Sequence, residues 1–281
     1  WSDPNVGLRI VRAIEDGARK GASGLGEAGE WVLDRNVTTW DDPRLEPVWA
    51  KLAEIKMPIN WHIANPSRYW RPEGPLNCLE FWSYAEGYPT KQEVLFQQER
   101  ILERHPDLVV LAAHANYLTD QIPYLVYRLE KYPNYYVDLG AACDEFGRVP
   151  EEFVDLCMKY QDRILYGTDG GYRSGKIEMY GGLDQTVANF KAFHVAHFLF
   201  LGTRQRMIPI PWNGNYGHYL IRHKDGFTRY AHDGVNLPDD VLAKIYYKNA
   251  EKLFGIKVAD WKPAEGFSYD VKTPPAVAAE K

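Results

Sequence analysis

Leu108-Val109-Val110-Leu111-Ala112-Ala113-His114 is the stretch on which the fold turns. Six apolar residues in a row, with no polar residue on either alternating face, describe a strand covered on both sides, as in a parallel sheet between layers of helices. The run stops at a histidine. Upstream, Thr90-Lys91-Gln92-Glu93 matches the capping box, in which a threonine and a glutamate three residues on satisfy each other's exposed amides; it opens a helix predicted to reach Arg104. Downstream, a helix over 119–131 leads to a strand from Tyr135 to Leu139. A further helix over 150–161 leads to a strand from Arg163 to Thr168, which ends at Asp169.

The same rhythm runs toward the N-terminus. Ser2-Asp3-Pro4 reads as a cap and first turn, followed by Val6, Ile10 and Ile14 at four-residue spacing until Gly21. Ala22 to Glu27 reads as a short strand, Asp42-Pro43 opens a helix carrying Leu45, Val48, Trp49, Leu52 and Ile55, and Pro58 to His62 is the next strand. Such alternation implies parallel strands with right-handed crossovers, in a barrel or in a doubly wound open sheet. No G-x-G-x-x-G or G-x-x-x-x-G-K-[ST] follows a strand, so the nucleotide-binding versions of the open sheet lose support. The expected organisation is a barrel domain over residues 1–261 and a Pro- and Ala-rich tail over 262–281. Within the domain, a lid-like insertion at about 170–236 includes a helix from Asp184 to Leu201, and a last helix runs from Pro238 to Phe254.

Composition narrows the partners. A net charge of −5 with scattered Lys and Arg offers no basic face to a phosphate backbone, which argues against nucleic acid. No run approaches the ~18 apolar residues of a membrane span, and the mean hydropathy is −0.44. Cys78, Cys143 and Cys157 have no C-x-x-C spacing, so they read as free thiols rather than a disulfide framework or a thiolate zinc site. A soluble protein is expected, cytoplasmic by default because no signal peptide is visible, with a small-molecule substrate and room for a homo-oligomer. Trp1 is no initiator, so the chain reads as cut or processed.

Four strands end in a residue able to ligate metal or move a proton: Glu27, His62, His114 and Asp169. In a barrel such C-terminal ends converge on one mouth. The gaps from His62 to His114 and on to Asp169 are 52 and 55 residues, each one or two βα units. Two imidazoles and a carboxylate facing one point suit Zn2+, with Mn2+ or another divalent ion as alternatives.

Trp-His-Ile-Ala-Asn-Pro (61–66), Leu-Ala-Ala-His-Ala-Asn (111–116), Tyr-Tyr-Val-Asp-Leu-Gly (135–140), Arg-Ile-Leu-Tyr-Gly-Thr-Asp (163–169) and Lys-Asn-Ala-Glu-Lys-Leu-Phe-Gly (248–255) resemble strands five to eight and the closing helix of the amidohydrolase superfamily. The similar branch is the one that includes aminocarboxymuconate semialdehyde decarboxylase. The resemblance implies a TIM-type (β/α)8 barrel of the metal-dependent hydrolase fold. It makes His62 the fifth-strand metal ligand, Asp169 a ligand and proton acceptor, His114 a catalytic histidine or second metal ligand, and Glu27 the fourth-strand carboxylate. The family's first-strand His-x-His pair has no counterpart in this sequence. At about 30 residues per βα unit, strands one to three are expected to be missing, roughly 90 residues.

Arg68, Trp70 and Arg71 follow His62, and Arg173 follows Asp169; they are the candidates for binding a carboxylate-bearing substrate. Trp61, Trp82 and Trp212 read either as pocket walls or as core. His194 and His197 share a helix face and are expected to be packed rather than ligating, while His218, His223 and His232 are expected at the surface. His105 is expected at a helix C-terminus. The leading expectation is a hydrolase acting on a small ester, lactone or amide. A metal-dependent decarboxylase of an unsaturated or aromatic acid is the alternative, and a ligand- or carbohydrate-binding barrel that has lost its metal is the non-catalytic one.

Overall fold

The computed structural model describes residues 3–29, 39–67, 89–169, 183–209 and 231–257. Five strands, β1 (Leu25–Gly29), β2 (Ile59–His62), β3 (Val110–Ala112), β4 (Tyr135–Asp138) and β5 (Ile164–Leu165), form one sheet. All pairings are parallel and each strand lies beside its neighbours in sequence. A doubly wound sheet reverses strand order at its switch point; this one does not, and the order is that of a barrel wall.

Helices α1 (Val6–Arg19), α2 (Glu46–Glu54), α3 (Lys91–Arg104), α4 (Ile122–Lys131), α5 (Cys143–Phe146), α6 (Pro150–Lys159) and α7 (Leu183–Gly202) follow in chain order. The closing segment runs through α8 (Asp239–Ala243), a π-helical turn (Lys244–Lys248) and α9 (Asn249–Phe254). Asn249 Nδ2 donates to Gln161 O and Ile164 O at 2.7 and 2.8 Å, which ties this segment to the start of β5. A two-stranded antiparallel ribbon, β6 (Ile208–Pro209) and β7 (Ala231–His232), flanks the ends of the expected insertion.

Local sequence explains most boundaries. Thr90 Oγ1 accepts from Glu93 N at 3.1 Å, capping α3 as expected, but Glu93 Oε1 is taken by Arg100 at 2.8 Å instead of closing the box. Asp3 is not the cap of α1: that position is Asn5, whose amide Asp3 Oδ1 accepts at 2.8 Å. The first strand starts three residues later and ends two later than the small-residue run suggested, so Glu27 is inside β1 rather than at its end.

Between strands and helices lies the main core. Trp61 is fully buried, stacks on Trp49 of α2 with centroids 4.6 Å apart, and meets Trp40 edge-on at 5.3 Å. Of the two readings of Trp61, the core one is right. Trp70, Trp82, Trp212, His218, His223, Cys78 and the tail lie outside the described residues, as does about half of the expected insertion.

Candidate metal and catalytic centre

Trp61 fixes which way β2 faces. Successive strand residues alternate, so Ile59 and Trp61 point to the helices while Asn60 and His62 point into the barrel. Register extends this across the sheet. Leu111 is level with Asn60 and faces inward; Val110 and Ala112, level with Ile59 and Trp61, face outward. Val137 is level with Ala112, which leaves Asp138 facing inward.

By the same alternation two key residues should point the wrong way. Leu25 and Ala28 both pair with outward positions, Ile59 and Trp61, although they are an odd three positions apart; the extra residue is absorbed by an irregularity between them. That slip turns Glu27 from the outward to the inward face. His114 is three residues beyond inward-facing Leu111, so a continued strand would aim it at the helix layer. Instead the chain leaves the strand, and His114, Ala115, Asn116 and Tyr117 take φ of 57, 51, 52 and 47°. Left-handed backbone costs an L-residue about 1–2 kcal/mol, and four in succession is a concentrated strain.

The outcome is a tight cluster. Glu27 Oε1 is 2.7 Å from His62 Nδ1 and 3.6 Å from His114 Nε2, and the two rings meet edge-on with centroids 4.6 Å apart. Ligand atoms of Glu27, His62 and His114 all lie within 4.8 Å of one another, and no other such group occurs among the described residues. His62 Nε2 is braced 3.0 Å from Asn65 Oδ1. His114 Nδ1 donates to Gly140 O at 2.7 Å, which presents Nε2 to the centre; that atom is buried with no hydrogen-bond partner. Tyr117 lies with its ring 5.0 Å from that of His114.

Asp138 is the residue that the strand-end pattern missed. Its Oδ1 accepts from His114 N at 3.0 Å and from Gly140 N at 2.9 Å, so one buried carboxylate pins the ends of β3 and β4. Gly140 leaves little room there: a Cβ would lie 3.0 Å from Asp138 Oδ1 and 3.2 Å from Asp169 N, so either neighbour would have to give way. A strand-end carboxylate in Tyr-Tyr-Val-Asp-Leu-Gly was visible in sequence, but its partners are backbone amides, which leave no motif. Asp169 is half-buried with φ 50° and is outside the three-donor cluster, though its backbone abuts Gly140.

Electrostatics follow from this enclosure. Burial alone would lower the His114 pKa, but the carboxylates of Glu27, Asp138 and Asp169 outweigh it and raise it to about 9. Burial pulls Glu27 upward, yet His114 and His62 hold it below the ordinary carboxylate range. Burial raises Asp138 despite the opposing His114 charge and the two amides. Three carboxylates around two imidazoles favour positive charge at this point. With the orphaned Nε2 and an N, N, O donor set, the residues present fit a divalent cation.

The remaining candidates lie elsewhere. His194 Nδ1 is 3.2 Å from Tyr166 OH, and His197 is 1 % exposed, its pKa lowered to about 3 chiefly by burial. Both are packing residues. His232 is buried against Phe200 rather than at the surface, and His105 caps α3 with Glu46 Oε1 2.8 Å away. Arg68, Arg71 and Arg173 lie outside the described residues. Cys143 and Cys157 are buried thiols outside any disulfide.

A parallel barrel wall with a histidine and carboxylate centre at its strand ends defines the class. The amidohydrolase family profile matches residues 4–256, and the chain belongs to that family. No curated protein sequence matches it. Three solved structures are similar. An uncharacterised TIM-barrel protein from Bordetella bronchiseptica is 15% identical over 86% of this chain and 60% of its own, with a TM-score of 0.42. A 2,6-dihydroxybenzoate decarboxylase from Rhizobium is 15% identical over 90% and 68%, at 0.44. A 5-carboxyvanillate decarboxylase from Sphingomonas paucimobilis is 12% identical over 91% and 64%, at 0.47. The chain thus spans less than two thirds of the first and the last of these. Among the described residues no helix is long and apolar enough to cross a membrane.

Proposed function

We propose that this chain carries much of the active centre of a metal-dependent amidohydrolase-family enzyme that removes the carboxyl group of a small unsaturated or aromatic acid. The observation behind the metal is the convergence of Glu27, His62 and His114, with the buried His114 Nε2 making no hydrogen bond and facing Glu27 Oε1 at 3.6 Å. Those three would hold the ion, with Asp169 beside them, and Zn2+ or Mn2+ suits the donors. Once bound, such an ion supplies Lewis acidity toward a substrate oxygen.

The chain's own residues have distinct parts. Asp138 and Gly140 orient His114, and Asn65 orients His62. Arg68, Arg71 and Arg173 would pair with the substrate carboxylate and Trp70 would lie against its ring. On decarboxylation the bond to the carboxyl carbon breaks, carbon dioxide leaves, and the electron pair left on the substrate carbon takes a proton. Asp169 is the group proposed to deliver it, because His114 would hold the ion through Nε2 while its Nδ1 proton is given to Gly140 O.

What favours decarboxylation over hydrolysis is the set of arginines that follow His62 and Asp169 in the sequence, with the resemblance to a branch containing a decarboxylase. Hydrolysis of a small ester, lactone or amide is the second reading, supported by Asp169 as a half-buried carboxylate near His114 whose chemistry suits taking a proton from water. The test is direct. The chain incubated with Zn2+ or Mn2+ should release carbon dioxide from 2,6-dihydroxybenzoate or 5-carboxyvanillate, and His114→Ala and Asp169→Asn should each abolish release. Cleavage of simple esters or lactones with no carbon dioxide would instead establish hydrolysis. Absence of stoichiometric metal by elemental analysis, with neither activity, would leave a binding barrel.

A further inference from the structure

The left-handed turn from His114 to Tyr117 is held by contacts with other elements: besides the Asp138 bond to His114 N, they are made by the side chain of Lys91 and by that of Asn116 within the turn. Lys91, at the first position of α3 and buried, donates from Nζ to Tyr117 O at 2.7 Å and to Ser67 Oγ at 3.1 Å, and pairs with Asp120 at 3.6 Å. One ammonium therefore joins the segment after β2 to the carbonyl of Tyr117, which ends the turn, and to Asp120 three positions beyond it. Asn116 is fully buried and points away from the centre. Its Nδ2 donates to Gln98 Oε1 at 3.0 Å and to Tyr135 OH at 2.7 Å. Gln98 Oε1 also accepts from Arg128, a fully buried guanidinium that lies 5.0 Å over the Tyr135 ring. The turn is thus tied on one side to the segment that follows His62 and on the other to α3, α4 and β4.

We propose that Lys91 and Asn116 are positioning residues for His114: they hold the left-handed turn that rotates its imidazole from the helix-facing side of β3 into the centre. This rests on reading Glu27, His62 and His114 as a metal site, and it adds residues that touch neither metal nor substrate. Released from its ties, the turn relaxes toward extended backbone, and strand alternation then carries His114 away from Glu27 and His62.

The experiment measures Zn2+ affinity by competition with a chromophoric chelator, with circular dichroism reporting the fold. Lys91→Met keeps the aliphatic stem and removes the ammonium; it should weaken Zn2+ binding by about tenfold or more, the scale for losing a group that orients a ligand. Ala115→Gly in the same chain should recover most of that loss, because glycine accepts the left-handed φ of this position freely. In chains that circular dichroism shows to be fully folded, a role confined to general stability predicts no loss of affinity for Ala115→Gly to recover. Unchanged affinity in Lys91→Met, or a loss that Ala115→Gly does not recover, overturns the proposal. Should Lys91→Met not fold, Asn116→Ala is measured in the same way: a loss of affinity recovered by Ala115→Gly supports the proposal, and unchanged or unrecovered affinity overturns it. Where the parent chain itself takes up no Zn2+, the metal reading fails on its own. The turn is then tested by amide hydrogen exchange at 114–118, which must accelerate in Lys91→Met and slow again with Ala115→Gly; unchanged exchange overturns the proposal.

Discussion

The ends of β2 and β3 lie side by side and each delivers a histidine to the same point, yet they do so in different ways. His62 arrives by ordinary alternation from a strand whose other face is locked by Trp61 against Trp49. His114 arrives through four left-handed residues tethered by Lys91, Asn116 and Asp138. The first position costs no backbone strain and depends on apolar packing. The second stores strain and depends on polar contacts with α3 and β4. A centre assembled this way gains the second donor at a stability cost, as is common where backbone strain serves a site.

The contrast is most open to attack at Trp61. Trp61→Ala should cost about 3–5 kcal/mol in urea unfolding, the scale for removing a buried aromatic. A loss below about 1 kcal/mol would mean that the β2 side is not held by its core, and the contrast would fail. Next is Asp138. Replacing it by Ala strands two buried amides, His114 N and Gly140 N, and should cost about 2–3 kcal/mol, while Asp138→Asn keeps an acceptor and should lose much less. Equal losses in the two variants would show that the carboxylate acts through charge and not through those hydrogen bonds. The smallest effect discriminates most finely. Ala115→Gly should stabilise by roughly 1 kcal/mol because it relieves left-handed strain, whereas Ala112→Gly in the regular strand should destabilise by a similar amount. If both changes had the same sign, the turn would not be strained in solution.

Much of the fold was legible because its signals are local. Apolar runs such as Leu108 to Ala113, the threonine cap at Thr90 and the spacing of Val6, Ile10 and Ile14 each depend on residues a few positions apart, and all correspond to observed elements. His62 and His114 were legible as strand-end residues for the same reason. The carboxylate expected beside them was Asp169, with Glu27 as a further possibility; among the described residues it is Glu27 that lies with the two histidines. Asp138, Lys91 and Asn116 were not legible. Each acts on a backbone or amide group of another element: Asp138 on the amide of His114, 24 positions away, and Lys91 on the carbonyl of Tyr117, 26 away. Such partners leave no periodic trace in the chain.

The family profile and the chemistry of the donor set belong to the sequence alone, since residue type decides which atoms can ligate or carry a proton. The direction in which those atoms point belongs to the tertiary structure. Strand alternation, applied to the sequence without exception, places only His62 of the three donors inside the barrel. A register slip in β1 brings Glu27 inward and a left-handed turn after β3 brings His114 inward, and both irregularities persist only because neighbouring strands and helices supply the contacts that offset their cost.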